Sequence, residues 1–144
     1  MRLKKARELG FGTVINVAQQ DPLKVVQELT QGLGADLVIE CSGAAPAIAS
    51  TVELVRKKGR ICVIGLTGRD SIPFPWDKAA FKVCDVLFNL STSYTSWDRT
   101  IHLIASGQLP AGEIVTRRAH LLEWKNAFED IESKRALKVL LIPE

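Results

Sequence analysis

The sequence predicts a doubly wound α/β domain built on a parallel sheet. First, Leu37, Val38 and Ile39 follow one another with no polar residue between them, and residues 61–64 do the same. A strand covered on both faces reads as such a continuous apolar run, whereas a half-exposed strand alternates. Second, Ile48, Val52 and Val55 make a helical stripe between the two runs, which gives strand, crossover helix, strand. Third, small residues follow each strand: Ser42-Gly43, then Gly65-Leu66-Thr67-Gly68, then Ser91-Thr92-Ser93. Ligands of open α/β sheets bind beyond the carboxyl ends of the strands, where small residues let a flat molecule approach the backbone. Taken singly, each of these glycines also reads as a tight turn after a strand.

The elements follow in order. Leu3, Ala6 and Leu9 stand at helical spacing with Gly10 behind them, which predicts a helix over 3–9 and a strand over Thr13–Val17. Asp21 can cap a helix that has Pro22 at its first position and Leu23, Val26, Leu29 and Leu33 on one stripe, closed by Gly32 and Gly34. A strand is expected over 36–41. A helix is expected over 46–58, with Arg56, Lys57 and Lys58 at its negative end and Gly59 beyond. Val86–Leu90 reads as another buried strand. Thr95 and Asp98 read as a capping box for a helix whose buried face carries Trp97, Ile101 and Ile104. A short strand over 114–116, a helix lined by Leu121, Trp124, Phe128 and Ile131, and a last strand over 137–142 complete the chain.

Composition bounds the rest. With 144 residues, 47% hydrophobic and 24% charged, the chain reads as one globular domain or a piece of one. Its net charge of +3 comes from 19 basic and 16 acidic residues in scattered positions, which excludes a nucleic-acid surface. No apolar run approaches the roughly 20 residues of a membrane span. The start, MRLKKAREL, is a charged helix rather than a signal peptide, so a cytoplasmic location without membrane partners is expected. Cys41, Cys62 and Cys84 are odd in number and far apart, which reads as reduced strand residues with no shared metal or disulfide. His102 and His120 have no partner at ligand spacing and read as structural. Trp97, Trp124 and Phe128 read as core. The loop SIPFPW, carrying Phe74, Pro75 and Trp76, reads as irregular and suited either to cover a cofactor or to meet another chain.

The phrases RLKKARELGFGTVIN, GADLVIECSGA, LVRKKGRICVIGL and FEDIESKRALKVLLIP, in that order along the whole chain, resemble the zinc-type alcohol and polyol dehydrogenases. These belong to the medium-chain dehydrogenase/reductase superfamily, and the resemblance is to its sorbitol and threonine dehydrogenase-like branch. It implies a Rossmann-type domain that lacks its first two strands. Residues 1–112 would form a partial dinucleotide-binding domain, and 113–144 a segment returning toward a catalytic domain. The chain holds no G-x-G-x-x-G, and the phosphate loop and ribose-binding acid of the family would lie upstream of Met1.

Carried over position by position, the resemblance places Arg2 near the adenosine ribose, though it also reads as a solvated helix charge. Cys41, Ser42 and Gly43 fall along the adenosine and ribose. Ile64, Gly65 and Leu66 meet the nicotinamide carboxamide through their backbone, with Leu90, Ser91 and Thr92 beside them. Lys138 falls where the family often reaches the pyrophosphate, and otherwise reads as an exposed strand charge. The resemblance implies NAD or NADP as cofactor, bound weakly or not at all by this chain. It implies zinc in the intact family but not here, no catalytic residue in this chain, and a small alcohol or polyol substrate. The expected function is the NAD(P)-binding part of an oxidoreductase, inactive on its own. The alternative is a non-catalytic remnant or assembly module. Self-association is expected in either case, because the resemblance leaves strand edges open.

Overall fold

The computed structural model describes residues 1–143. In chain order the elements are α1 (Arg2–Glu8), α2 (Pro22–Leu29), β1 (Ala35–Glu40), α3 (Ala45–Leu54), β2 (Val55–Val63), α4 (Trp76–Lys82), β3 (Asp85–Phe88), α5 (Tyr94–Ala105), β4 (Val115–His120), α6 (Trp124–Glu132) and β5 (Lys138–Ile142). Two short 3-10 turns, Ala111–Ile114 and Leu121–Glu123, flank β4. The chain divides into two compact units, one of residues 17–91 and one of residues 1–16 with 92–144.

Residues 17–91 carry a three-stranded parallel sheet in the order β1-β2-β3. Val38, Ile61 and Val86 are register partners and therefore share one face. There they meet Val52 of α3, Val55 at the start of β2 and Ala79 of α4, with Val63, Phe74 and Cys84 packed around them. Val52 and Val55 are fully buried and Ile61 is 1% exposed; burying each such side chain is worth about 1.5–3 kcal/mol. On the opposite face Leu37, Ile39 and Leu87 stand about half exposed. The expected cover on both faces is thus present on one, because α3 and α4 both pack on the Val38–Ile61–Val86 side. α2 begins as predicted: the Asp21 carboxylate accepts from Leu23 N–H at 2.9 Å, and Pro22 occupies the first turn, where no N–H is needed.

The third helix ends earlier than its sequence suggests. α3 stops at Leu54 and Val55 already pairs with Ala35 of β1, so Arg56, Lys57 and Lys58 lie in β2 and not at a helix terminus. They form an excursion in the ladder, with Lys58 at φ +56°, before pairing resumes at Arg60 opposite Leu37. The cation that serves the α3 carboxyl end comes instead from α4. Lys82 Nζ donates to the carbonyls of Glu53 at 3.0 Å and of Val55 at 2.6 Å. The proline-containing loop is irregular over 71–75, as expected, and α4 begins at its last residue, Trp76. Pro75 precedes its first residue, Asp77 sits in the first turn, Lys82 in the last, and Phe74 enters the core.

In the other unit β4 and β5 pair in parallel across α6. Asp130 of α6 is held between Arg117 of β4 and Arg135, whose Nε lies at 2.8 Å. Hydrogen bonds from Arg135 and then Arg117 keep its carboxyl below the usual carboxylate range. Ser93, not Thr95, caps α5, its hydroxyl accepting from Ser96 N–H at 3.2 Å. Trp97, Ile101 and Ile104 are exposed rather than buried, as are Trp124 and Phe128. The helical stripes exist, but their side chains stand about half exposed; the two α6 rings pack edge to face, 6.2 Å apart. Residues 13–17 form no strand, because none of the described strands offers them a ladder.

Candidate functional site

Two loops leave the carboxyl ends of neighbouring parallel strands, 41–43 after β1 and 64–66 after β2, and the structure joins them through Glu40. Its carboxylate is 4% exposed. Oε1 accepts from Ser42 N–H at 2.8 Å, from the Ser42 hydroxyl at 2.6 Å and from Gly43 N–H at 3.1 Å, and Oε2 lies 3.2 Å from the same Gly43 nitrogen. Meanwhile the Glu40 main-chain carbonyl accepts from Ile64 N–H at 2.8 Å and from Gly65 N–H at 3.1 Å. Burial pushes the Glu40 carboxyl up, but the bonds from Ser42 and Gly43 outweigh it and hold the group below the usual carboxylate range.

The glycines of both loops are required by this contact. Gly43 has φ +67°, and a Cβ there would fall 2.1 Å from the Leu66 carbonyl oxygen. A Cβ on Gly65 would fall 2.2 Å from Gly43 N and 2.3 Å from Glu40 Oε2. The close approach these residues permit is therefore first of all that of one loop to the other. A bulky residue at Gly65 would part the loops before it met any ligand. Cys41, Ser42, Ile64 and Leu66 remain exposed, so the joined loops present main chain and small or apolar side chains outward.

The remaining residues singled out in the sequence lie elsewhere. Leu90 and Ser91, the latter at φ +63°, follow β3 and close the 17–91 unit, and Thr92 opens the next stretch of the other unit. Arg2 is exposed on α1 and Lys138 exposed at the start of β5, both in that other unit. Sequence reasoning passed over Glu40. The available signal was a carboxylate closing the apolar run Leu37-Val38-Ile39, directly before Cys-Ser-Gly.

Among the described residues zinc finds no fitting donor set. Cys41, Cys62 and Cys84 are free thiols, and Asn89 Nδ2 lies 3.1 Å from the Cys62 sulfur. His102 Nδ1 is engaged by the Asp98 carbonyl at 2.9 Å, and His120 Nδ1 accepts from Leu122 N–H at 3.2 Å in a capping turn closed by Glu123. Among the described residues no three His, Cys, Asp or Glu side chains come together as a metal site. No helix among them is long and apolar enough to cross a membrane.

A parallel α/β sheet whose glycine-bearing loops lie beyond the strand carboxyl ends is the architecture of nucleotide-binding domains. The chain belongs to the zinc-binding dehydrogenase family, whose model matches residues 1–106. It is 38% identical over 143 residues to a sorbitol dehydrogenase of Halalkalibacterium halodurans, covering 99% of this chain and 42% of that protein. It is 31% identical over 143 residues to an L-threonine 3-dehydrogenase of Bacillus subtilis, covering 99% of this chain and 41% of the relative. The alcohol dehydrogenase TADH of Thermus sp. ATN1 superposes with a TM-score of 0.90 at 34% identity, over 98% of this chain and 41% of that one. The chain thus spans about two fifths of the length of these relatives and matches the Rossmann-like, carboxyl-terminal part of their fold.

Proposed function

We propose that the chain supplies the nicotinamide-facing part of the nucleotide-binding domain of an NAD(P)-dependent oxidoreductase acting on a small alcohol or polyol. Residues 1–112 would contribute that domain and 113–144 the return toward a catalytic domain. The observation that carries the reading is the joined pair of loops, 41–43 and 64–66, at the carboxyl ends of adjacent parallel strands, within a chain of the zinc-binding dehydrogenase family. The backbone of 64–66 would receive the carboxamide, with Leu90, Ser91 and Thr92 beside it, and 41–43 would run along the adenosine and ribose; the family resemblance assigns Arg2 to the adenosine ribose and Lys138 to the pyrophosphate. When the cofactor is bound it accepts or gives a hydride, and this chain's residues orient it.

Alone, the chain would bind cofactor weakly and turn over no substrate. Titration of the purified chain with NADH, followed by nucleotide fluorescence, should give weak saturable binding without reduction of NAD by added sorbitol. Submicromolar affinity, or turnover, would overturn this reading of the isolated chain. A second reading, an assembly module in the cytoplasm, is favoured by the apolar side chains left in solvent, among them Phe88 at 81% and Leu90 at 79% exposed. Sedimentation showing a defined homo-oligomer with no nucleotide binding would select it.

A further inference from the structure

We propose that Glu40, as the carboxylate, is the positioning residue of the nucleotide-facing loops: its side chain clamps Ser42 and Gly43, its main chain clamps Ile64 and Gly65, and both bonds must hold for the nicotinamide end to find its seat. This rests on the nucleotide-binding reading.

The chemistry of the clamp calls for a charge. A carboxylate taken out of water is costly unless donors replace the water, and here the donors are the N–H and O–H of Ser42 and the N–H of Gly43. No cation shares the work. The strand partner of Glu40 on β2 is Val63. Arg60 faces Asp85, Arg56 faces Asp36, and the one acid of α3, Glu53, pairs with Lys78. The Ser42 hydroxyl donates a hydrogen bond to Glu40 and accepts from Ala44 N–H at 3.1 Å, which carries the clamp to the N-cap of α3. A glutamine of the same shape would turn an N–H toward Gly43 N–H, donor against donor. An aspartate would be one methylene too short. Oε1 is engaged by three donors and Oε2 shares the Gly43 N–H, all within the chain, so the role of the carboxylate toward a nucleotide is to fix the backbone beside it.

The test uses the full chain, 15N-labelled, with NAD as the probe and chemical-shift titration as the readout, in the wild type, Glu40→Gln and Ser42→Ala. At neutral pH Glu40→Gln should bind NAD about tenfold more weakly, equal to about 1.4 kcal/mol. On acidification the wild type should lose about the same factor as Glu40 is protonated, so its affinity converges on that of the glutamine variant, which shares every other titration. Amide exchange at Ser42, Gly43 and Gly65 should be at least about tenfold faster in the glutamine variant, with Ile61 unchanged. Equal NAD affinity and equal exchange in the two proteins would overturn the proposal. If no protein binds NAD, the nucleotide-binding reading fails and exchange alone judges the clamp: faster exchange keeps it, unchanged exchange removes it. Should Glu40→Gln not fold, Ser42→Ala, which keeps the charge and loses one donor, must still speed exchange at Gly43, or the clamp is wrong.

Discussion

A single methyl group placed between the two loops gives the sharpest test of their contact. In Gly65→Ala the new Cβ would lie 2.2 Å from Gly43 N, 2.3 Å from Glu40 Oε2 and 2.9 Å from Gly43 Cα, and two of those neighbours are backbone that cannot swing aside. The loops must part. Overpacking of this kind costs about 1–3 kcal/mol, and weakening one bond to the Glu40 carboxylate about 1.5–3 kcal/mol more, so about 3–5 kcal/mol is expected. That is a large share of the roughly 5–15 kcal/mol that holds a domain folded. Urea unfolding should be followed by far-UV circular dichroism, since Trp76, the one tryptophan of residues 17–91, is already 75% exposed in the folded chain. At a slope of about 2 kcal/mol per molar the midpoint should fall by about 1.5–2.5 M. Gly112→Ala, where an added Cβ meets nothing within 4 Å, controls for the methyl itself and should stay within about 0.5 kcal/mol of the parent. A Gly65→Ala midpoint within about 0.3 M of the parent would refute the contact and the reasoning built on it.

Three further outcomes are expected. Val52→Ala, at a fully buried site in the 17–91 core, should cost about 2 kcal/mol by denaturant unfolding. Lys82→Met should cost about 1–2 kcal/mol and raise amide exchange near residues 53–55, because the carbonyls of Glu53 and Val55 lose their donor. The Glu40 carboxyl, lowered in the folded chain, contributes stability that is complete above the ordinary carboxylate range and is lost as pH falls through its lowered value; unfolding midpoints of Glu40→Gln should lack that acid-side loss.

The parallel strands, the crossover helix and the Asp21-Pro22 helix start were legible because each rests on a local pattern: apolar succession, a 3.6-residue stripe, a cap. The end of α3 was not. Arg56, Lys57 and Lys58 look like the basic last turn of a helix, and only tertiary structure reveals that Lys82, distant in sequence, occupies that role. Residues 13–17 have strand-forming side chains, yet strand formation depends on a neighbour, which no local pattern supplies. Trp97, Ile101 and Phe128 kept their helical spacing while their burial, a property of what lies opposite, did not follow. At the site, the small residues after each strand announced the loops. That Gly43 and Gly65 serve one another, through a carboxylate in the strand before them, needed the register of β1 against β2.

Every ladder among the described residues is parallel, and each brackets one helix: α3 between β1 and β2, α4 between β2 and β3, α6 between β4 and β5. No two strands can therefore meet as a hairpin, the cheapest way for a sheet to begin. Each pairing must wait until the chain has closed a long loop and laid a helix across it, so every strand pairing joins partners remote in sequence. Such a topology folds slowly for its size, and its half-formed states hold strand edges open for that whole interval. For a ribosome delivering the chain from its amino end, the order of events is set accordingly: β1 emerges and must remain available until β2 has followed α3 out.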